Sequence, residues 1–479
     1  MVLKHFYEIS KIPRGSGNEK AVSDYIAEFA RARGAKVVRD DWNNLIITKP
    51  ASAGCADKPP VILQAHMDMV CEKNAGTQHD FLRDALQLYE DGDFIKARGT
   101  TLGADNGIGV AFCMALLEEK CVHPPLEIVL TTDEETGMSG AQNLDVSQLK
   151  GTRMLNLDSS DETTFTMGCA AGTTAEFLIP ADWANNSEMC TCEISVRGLK
   201  GGHSGGDIEK ERGNALRILA FLLNALNKKI GINIAEISGG MKINAIPREA
   251  SATIVFAKPN AEKISQVIKT ERENFLNQFK ISDAGLTIDS VIASSTRHDG
   301  LLEFLTHDCT QKIISALLLI PTGMISRSFE IDGLVNASCN IGVAETTRGH
   351  VKISAMPRGA AEYFTRQIEA QISAVAALVG AEVNFIRRSP AWQYNPDSEL
   401  MKTAAAAYKK FYNREAVTTA VHGGLECGIF LAKFAERGIA LDIVSFGPNA
   451  YDYHTPDEKL SISSTNRAWE FLKALMEVL

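Results

Sequence analysis

No stretch of this chain stays apolar for the ~20 residues that a bilayer-spanning helix needs, and Met1 to Pro13 hold no apolar core of a secretory leader. A cytoplasmic protein with no membrane partner is expected. Basic excess is also missing. Lys and Arg number 49 against 59 Asp and Glu, for a net charge of −10. Such a surface repels a polyanion unless a dense basic patch is present, and none is visible, so nucleic acid is excluded as a partner. The ten cysteines avoid metal-knuckle spacing, and one close pair, Cys190 and Cys192, falls in an alternating strand-like run. Reduced, mostly buried thiols are expected. A G-x-x-x-x-G-K loop is absent, as is a G-x-G-x-x-G following a strand, which removes nucleotide binding from consideration. With 45% apolar and 23% charged residues, neither disorder nor a fibrous repeat describes the chain as a whole.

What is there, over 479 residues, is enough for two globular bodies or one split by an insertion. The run 61–65 is short and apolar, the signature of a strand buried on both faces, and it ends at His66. The pattern returns three times. Residues 126–130 run into Asp133, Glu134 and Glu135, residues 154–157 into Asp158, and residues 441–446 towards His454. Polar, metal-competent side chains after buried strands describe an open α/β sheet with its site at the carboxyl ends of the strands. Residues 108–117 read as a helix, with Asp105 just ahead of it. From about Ser187 the texture becomes α+β, with alternating strands around 193–196 and 252–256 and amphipathic helices at 214–227 and 261–279. A second, looser copy of that texture spans 301–378, which suggests a duplicated module. The expected domains are 1–186 with 396–479, and 187–395.

Each chemical residue has a bland reading when taken alone. His66 and Asp68 could be a polar turn, and Asp105, in Gly103-Ala104-Asp105-Asn106-Gly107, could be a helix cap. Asp158 and His454 would be unremarkable singly. The acidic run 133–135 is more telling, because adjacent carboxylates at the end of a buried strand repel one another and invite a cation. Neighbouring side chains diverge, so Glu134 and Glu135 cannot do the same job. Asp68 can accept the proton of the His66 imidazole and orient its other nitrogen towards a metal.

Together A-H-M-D-M-V, G-A-D-N-G, D-E-E-x-G-x-x-G and the closing H-x-P-D-E resemble the zinc-dependent M20 peptidase family over nearly the whole chain. The resemblance implies a zinc-peptidase-like sheet domain with helices on both faces and an inserted α+β lid. It assigns His66 and Asp158 to one metal and Glu135 and His454 to the other, with Asp105 bridging and Glu134 as general base. Two divalent ions roughly 3.5–4 Å apart could then share a hydroxide and polarise a scissile carbonyl. Zinc suits this donor mixture, with manganese or cobalt as alternatives. His203, in Gly201-Gly202-His203-Ser204-Gly205, resembles the family's lid histidine, a donor to the tetrahedral oxyanion. Asn244 and Arg358 are expected substrate contacts, Arg358 against a terminal carboxylate, and His422 and Glu426, in a glycine-softened segment, read equally as lining the substrate cleft or as a capped helix start. The stretches 96–107 and 422–428 are similar to the dipeptide-cleaving members, including those acting on Xaa-His substrates such as carnosine. A duplicated lid would leave a homodimer optional. The alternatives are another amidohydrolase on this scaffold, such as an aminoacylase or a desuccinylase, and a catalytically dead binding relative, which should have lost a ligand or the base; none is missing.

Overall fold

Four apolar runs lie side by side and in parallel, in the order Leu126–Thr131, Val61–His66, Arg153–Asn156, Asp442–Ser445. Every residue of the first two is buried, as expected of strands covered on both faces. Leu45–Lys49 and Lys36–Arg39 extend the sheet at one side, Thr164–Cys169 and Val417–Val421 at the other, for eight strands in all. The Ala104–Glu118 helix packs on the Val61–His66 strand. Its Phe112 stacks on Trp469 of the C-terminal helix Ile462–Val478, with ring centroids 6.0 Å apart. Parallel pairing brings the carboxyl ends of these strands to one sheet edge.

The computed structural model describes residues 1–187, 189–294, 301–331 and 333–479. They divide into two units, residues 1–168, 392–420 and 425–479 in the first and residues 169–391 and 421–424 in the second. The expected change at 186/187 therefore falls earlier, at 168/169. The reason is strand pairing: Ala171–Pro180 lies between His350–Gly359 and Glu382–Ser389 in the second unit's sheet. The return to the first unit comes at 392 rather than 396, and residues 421–424 join the second unit.

The second unit is built on a nine-stranded antiparallel sheet. One half runs Thr287–Ser294, Met189–Arg197, Ala250–Ala257, Asn233–Gly239. The other continues Val335–Thr346, His350–Gly359, Ala171–Pro180, Glu382–Ser389, with Gly323–Arg327 pairing alongside Val335–Thr346. Numbered in chain order within each half, the strands read 4-1-3-2 and then 2-3-1-4. This is the same β-α-β-β-α-β plan twice, and the halves join where the two second strands pair, Ser238 opposite Glu345. Helices Ala215–Ile230 and Ala261–Gln278 serve the first copy, His307–Leu319 and Glu362–Val379 the second. Leu219, Ile264, Ile313 and Ile372, one from each, meet in a single buried apolar cluster. The second copy is split, since its first strand, Ala171–Pro180, precedes the whole of the first copy.

Candidate active site and metal centre

His66 is the last residue of its strand and almost fully buried. Its Nε2 lies 3.1 Å from Asp105 Oδ1 and 3.5 Å from Asp158 Oδ1. Its Nδ1 lies 3.2 Å from Asp68 Oδ1. Asp68, also buried, accepts from Ser16 Oγ at 2.7 Å and from the backbone amides of Glu134 and Glu135 at 3.1 Å each. One carboxylate thus orients the imidazole and pins the acidic turn.

On the other side, His454 Nε2 lies 3.0 Å from Glu135 Oε1 and 3.4 Å from Asp105 Oδ2. The two oxygens of Asp105 face two different imidazoles. His66, Asp105 and Asp158 form one group whose donor atoms lie within 4.8 Å of one another, and Asp105, Glu135 and His454 form another. A third, overlapping group is His66, Glu134 and Glu135. All six residues expected to hold metal or act as base are brought together.

Electrostatics explain why such a knot needs cations. Burial, with Asp105 close by, pushes Glu135 up to about 7, and burial with the same neighbour raises Asp158. Glu134 is raised well above its ordinary value by burial and then by Glu135, Asp158 and Glu426 around it, against the pull of His66. Burial alone would raise Asp105 too, but the His454 and His66 imidazoles outweigh it and hold the carboxylate low. Conversely, burial would lower His454, and its contacts with Asp105 and Glu135 carry it up to about 11 instead. The raised His66 and His454 imidazoles favour their charged forms beside these carboxylates. Divalent ions in place of the imidazole protons would keep every donor and add positive charge where three carboxylates converge, so the residues fit a pair of metal ions.

Asp105 itself is held by residues that the sequence did not single out. The Glu458 carboxylate, 2% exposed, accepts from the amides of Leu102, Gly103 and Ala104 at 2.7, 2.9 and 2.8 Å. Arg14, buried, donates to the carbonyls of Met67 and Asp68 at 3.0 Å each and to that of Gly103. Gly103 sits at φ 67°, and a Cβ there would meet the Arg14 guanidinium at 2.6 Å. Glu458 had a signal, as the last letter of H-x-P-D-E. Arg14 had none.

Within the second unit, His203 forms a short strand with Gly202 that pairs with Ala245–Ile246. Its Nδ1 accepts from the amides of Gly205 and Gly206 at 3.2 and 3.1 Å, which leaves the ring proton of the neutral form on Nε2. Asn244 is adjacent, its carbonyl accepting from Ser204 N at 2.8 Å. Arg358, buried, has Nε 3.4 Å from Ser204 Oγ, and burial pulls its guanidinium down to about 10. His422 Nε2 lies 2.7 Å from Ser338 Oγ. Burial, followed by the charges of Arg358 and His203, depresses the His422 imidazole to about 3. Asn244, Arg358 and His422 therefore gather around His203. Glu426 does not join them: it opens the Glu426–Glu436 helix in the first unit, 1% exposed and hydrogen-bonded under the metal ligands. Of its two expected places, lining the cleft or starting a helix, the second is the one Glu426 occupies.

Residues 62–478 match Peptidase family M20/M25/M40. The chain belongs to this family of metal-dependent peptidases. It is 36% identical over 476 residues to the cytosol non-specific dipeptidase of Escherichia coli (strain K12), covering 98% of this chain and 96% of that protein. Among solved structures it resembles aminoacylhistidine dipeptidase from Vibrio alginolyticus, at 35% identity and a TM-score of 0.84, across 100% of this chain and 96% of that one. An aminopeptidase from Bacillus cereus, at 16% identity and a TM-score of 0.55 over 100% of this chain and 97% of that one, shares the fold alone.

Proposed function

We propose that this M20 peptidase is a cytoplasmic dipeptidase that holds two divalent ions, zinc by its donor chemistry, and cleaves short unblocked peptides, Xaa-His dipeptides such as carnosine among them. The carrying observation is Asp105, whose two oxygens face two separate donor groups, with the Glu134 carboxyl beside them in a third, overlapping group. The dipeptidases of E. coli and V. alginolyticus support the substrate class. His66, Asp158 and Asp105 would hold one ion, and Asp105, Glu135 and His454 the other.

Bound there, the ions supply Lewis acidity to the scissile carbonyl and acidify the attacking water. The remaining work falls to side chains. Glu134 takes the proton of the attacking water and passes it to the departing amine, a role that needs a carboxylate of raised basicity. Asp68 fixes the His66 tautomer and, through the Glu134 and Glu135 amides, the turn that carries the base. His203 in its Nε2–H form is the tautomer able to donate to a developing oxyanion.

A panel of dipeptides set against N-acyl amino acids, run after chelation and again after metal is restored, tests the reading. The expected result is hydrolysis of dipeptides, abolished by chelation and recovered with zinc, manganese or cobalt. Turnover confined to N-acyl amino acids would replace it with an aminoacylase-type activity.

A further inference from the structure

Beneath the ligands lies a tier of buried polar side chains that the reaction as described leaves unused. Gln64 shares the face of His66, two residues on along the same strand. Thr131 ends the strand that leads into Asp133, Glu134 and Glu135, and Asn156 ends the strand that leads into Asp158. Asn156 Nδ2 donates to Gln64 Oε1, and Ser445 Oγ donates to Asn156 Oδ1. Two further donors converge on a single atom: Gln64 Nε2 and Thr131 Oγ1 reach Glu426 Oε2 at 2.5 and 2.6 Å. These come from adjacent parallel strands, one carrying His66 and the other the base and Glu135.

A carboxyl is a costly choice for such a place, since an amide or hydroxyl would accept the same bonds with a smaller desolvation penalty. Its position also argues against a substrate contact, because the side chain is covered by the strands it joins. We propose that Glu426 is a positioning residue, whose carboxyl clamps the Val61–His66 and Leu126–Thr131 strands together and so fixes where the base Glu134 stands relative to His66. Burial pushes the Glu426 carboxyl up to about 8, so the clamp adds little negative charge near neutral pH. Glu134 lies within reach of its field. The inference rests on the hydrolysis proposed above.

The test compares Glu426→Ala with Glu426→Gln, both loaded with metal. Dipeptide turnover by the wild-type chain tests the underlying reading, and the ratio of each variant to it tests the clamp. Alanine removes the acceptor, and misplacing a base by a fraction of an ångström to an ångström should lower kcat by about a hundredfold. KM and the count of two bound ions should stay close to wild type. Glutamine keeps an oxygen for both donors and should recover most of that loss, which a role in ionisation would not allow. Wild-type kcat in the alanine variant overturns the proposal, as does a glutamine variant no better than alanine. Should Glu426→Ala fail to fold, Thr131→Val decides: it keeps the volume but removes one strut, and should lower kcat about tenfold at unchanged KM. Unchanged kcat there overturns the clamp equally.

Discussion

Asp105 can serve two donor groups only because the turn before it is held from behind. Glu458 spends both oxygens on three amides of that turn, and Arg14 ties its Gly103 carbonyl to those of Met67 and Asp68. Loss of such a supporting partner typically weakens metal binding by about 10–100-fold. Glu458→Ala is expected to show a loss of that size in a chelator competition; unchanged affinity would mean that the turn holds itself. His66, Glu134, Glu135 and Asp158 had a signal because each follows closely on an apolar run, whereas Asp105, His203 and His454 had theirs only in the family motifs. Arg14 and Gln64 had neither, since a single polar residue within or before an apolar stretch makes no pattern until its partners, tens to hundreds of residues away, are in place. Glu426 had two readings from its glycine-softened segment, a cleft lining and a helix start, and only its partners Thr131 and Gln64 decide between them.

Among the elements, the central parallel strands were readable from composition, because a strand buried on both faces has no polar side to show. The boundary near 187 was not. Ala171–Pro180 is as apolar as the first domain's strands, and only its pairing partners, beginning at His350 and Glu382, assign it to the second unit. Against that sheet, through Ser338, packs a pH-sensitive side chain, His422. His422 is held neutral in the folded chain, at about 3 against an ordinary 6.5, by burial and then by Arg358 and His203. Below pH 6.5 the unfolded chain binds a proton that the folded chain refuses. The stability this group contributes is therefore complete above about 6.5 and is lost as the pH falls towards 3. One proton corresponds to about 1.4 kcal/mol per pH unit in that window. Chemical denaturation of wild type and His422→Gln should accordingly give stability curves that converge as the pH drops from 7 to 5. Parallel curves would show that the folded chain protonates His422 as readily as the unfolded chain does.

For the whole molecule, the duplication suspected from texture is carried by topology rather than by sequence identity. The order 4-1-3-2 followed by 2-3-1-4 repeats one plan, yet the second copy is interrupted by the first, which scrambles any linear comparison. Family membership over residues 62–478 fixes the scaffold, and the site then depends on six side chains from distant segments. The roles proposed for them divide sharply, five to hold ions and one, Glu134, to move a proton. The most direct measurement is therefore Glu134→Gln, with bound metal counted by elemental analysis and dipeptide turnover read on the same sample. The prediction is two ions per chain with kcat lower by about 10²–10⁴-fold. Near-wild-type hydrolysis by that variant, with both ions in place, would contradict the account.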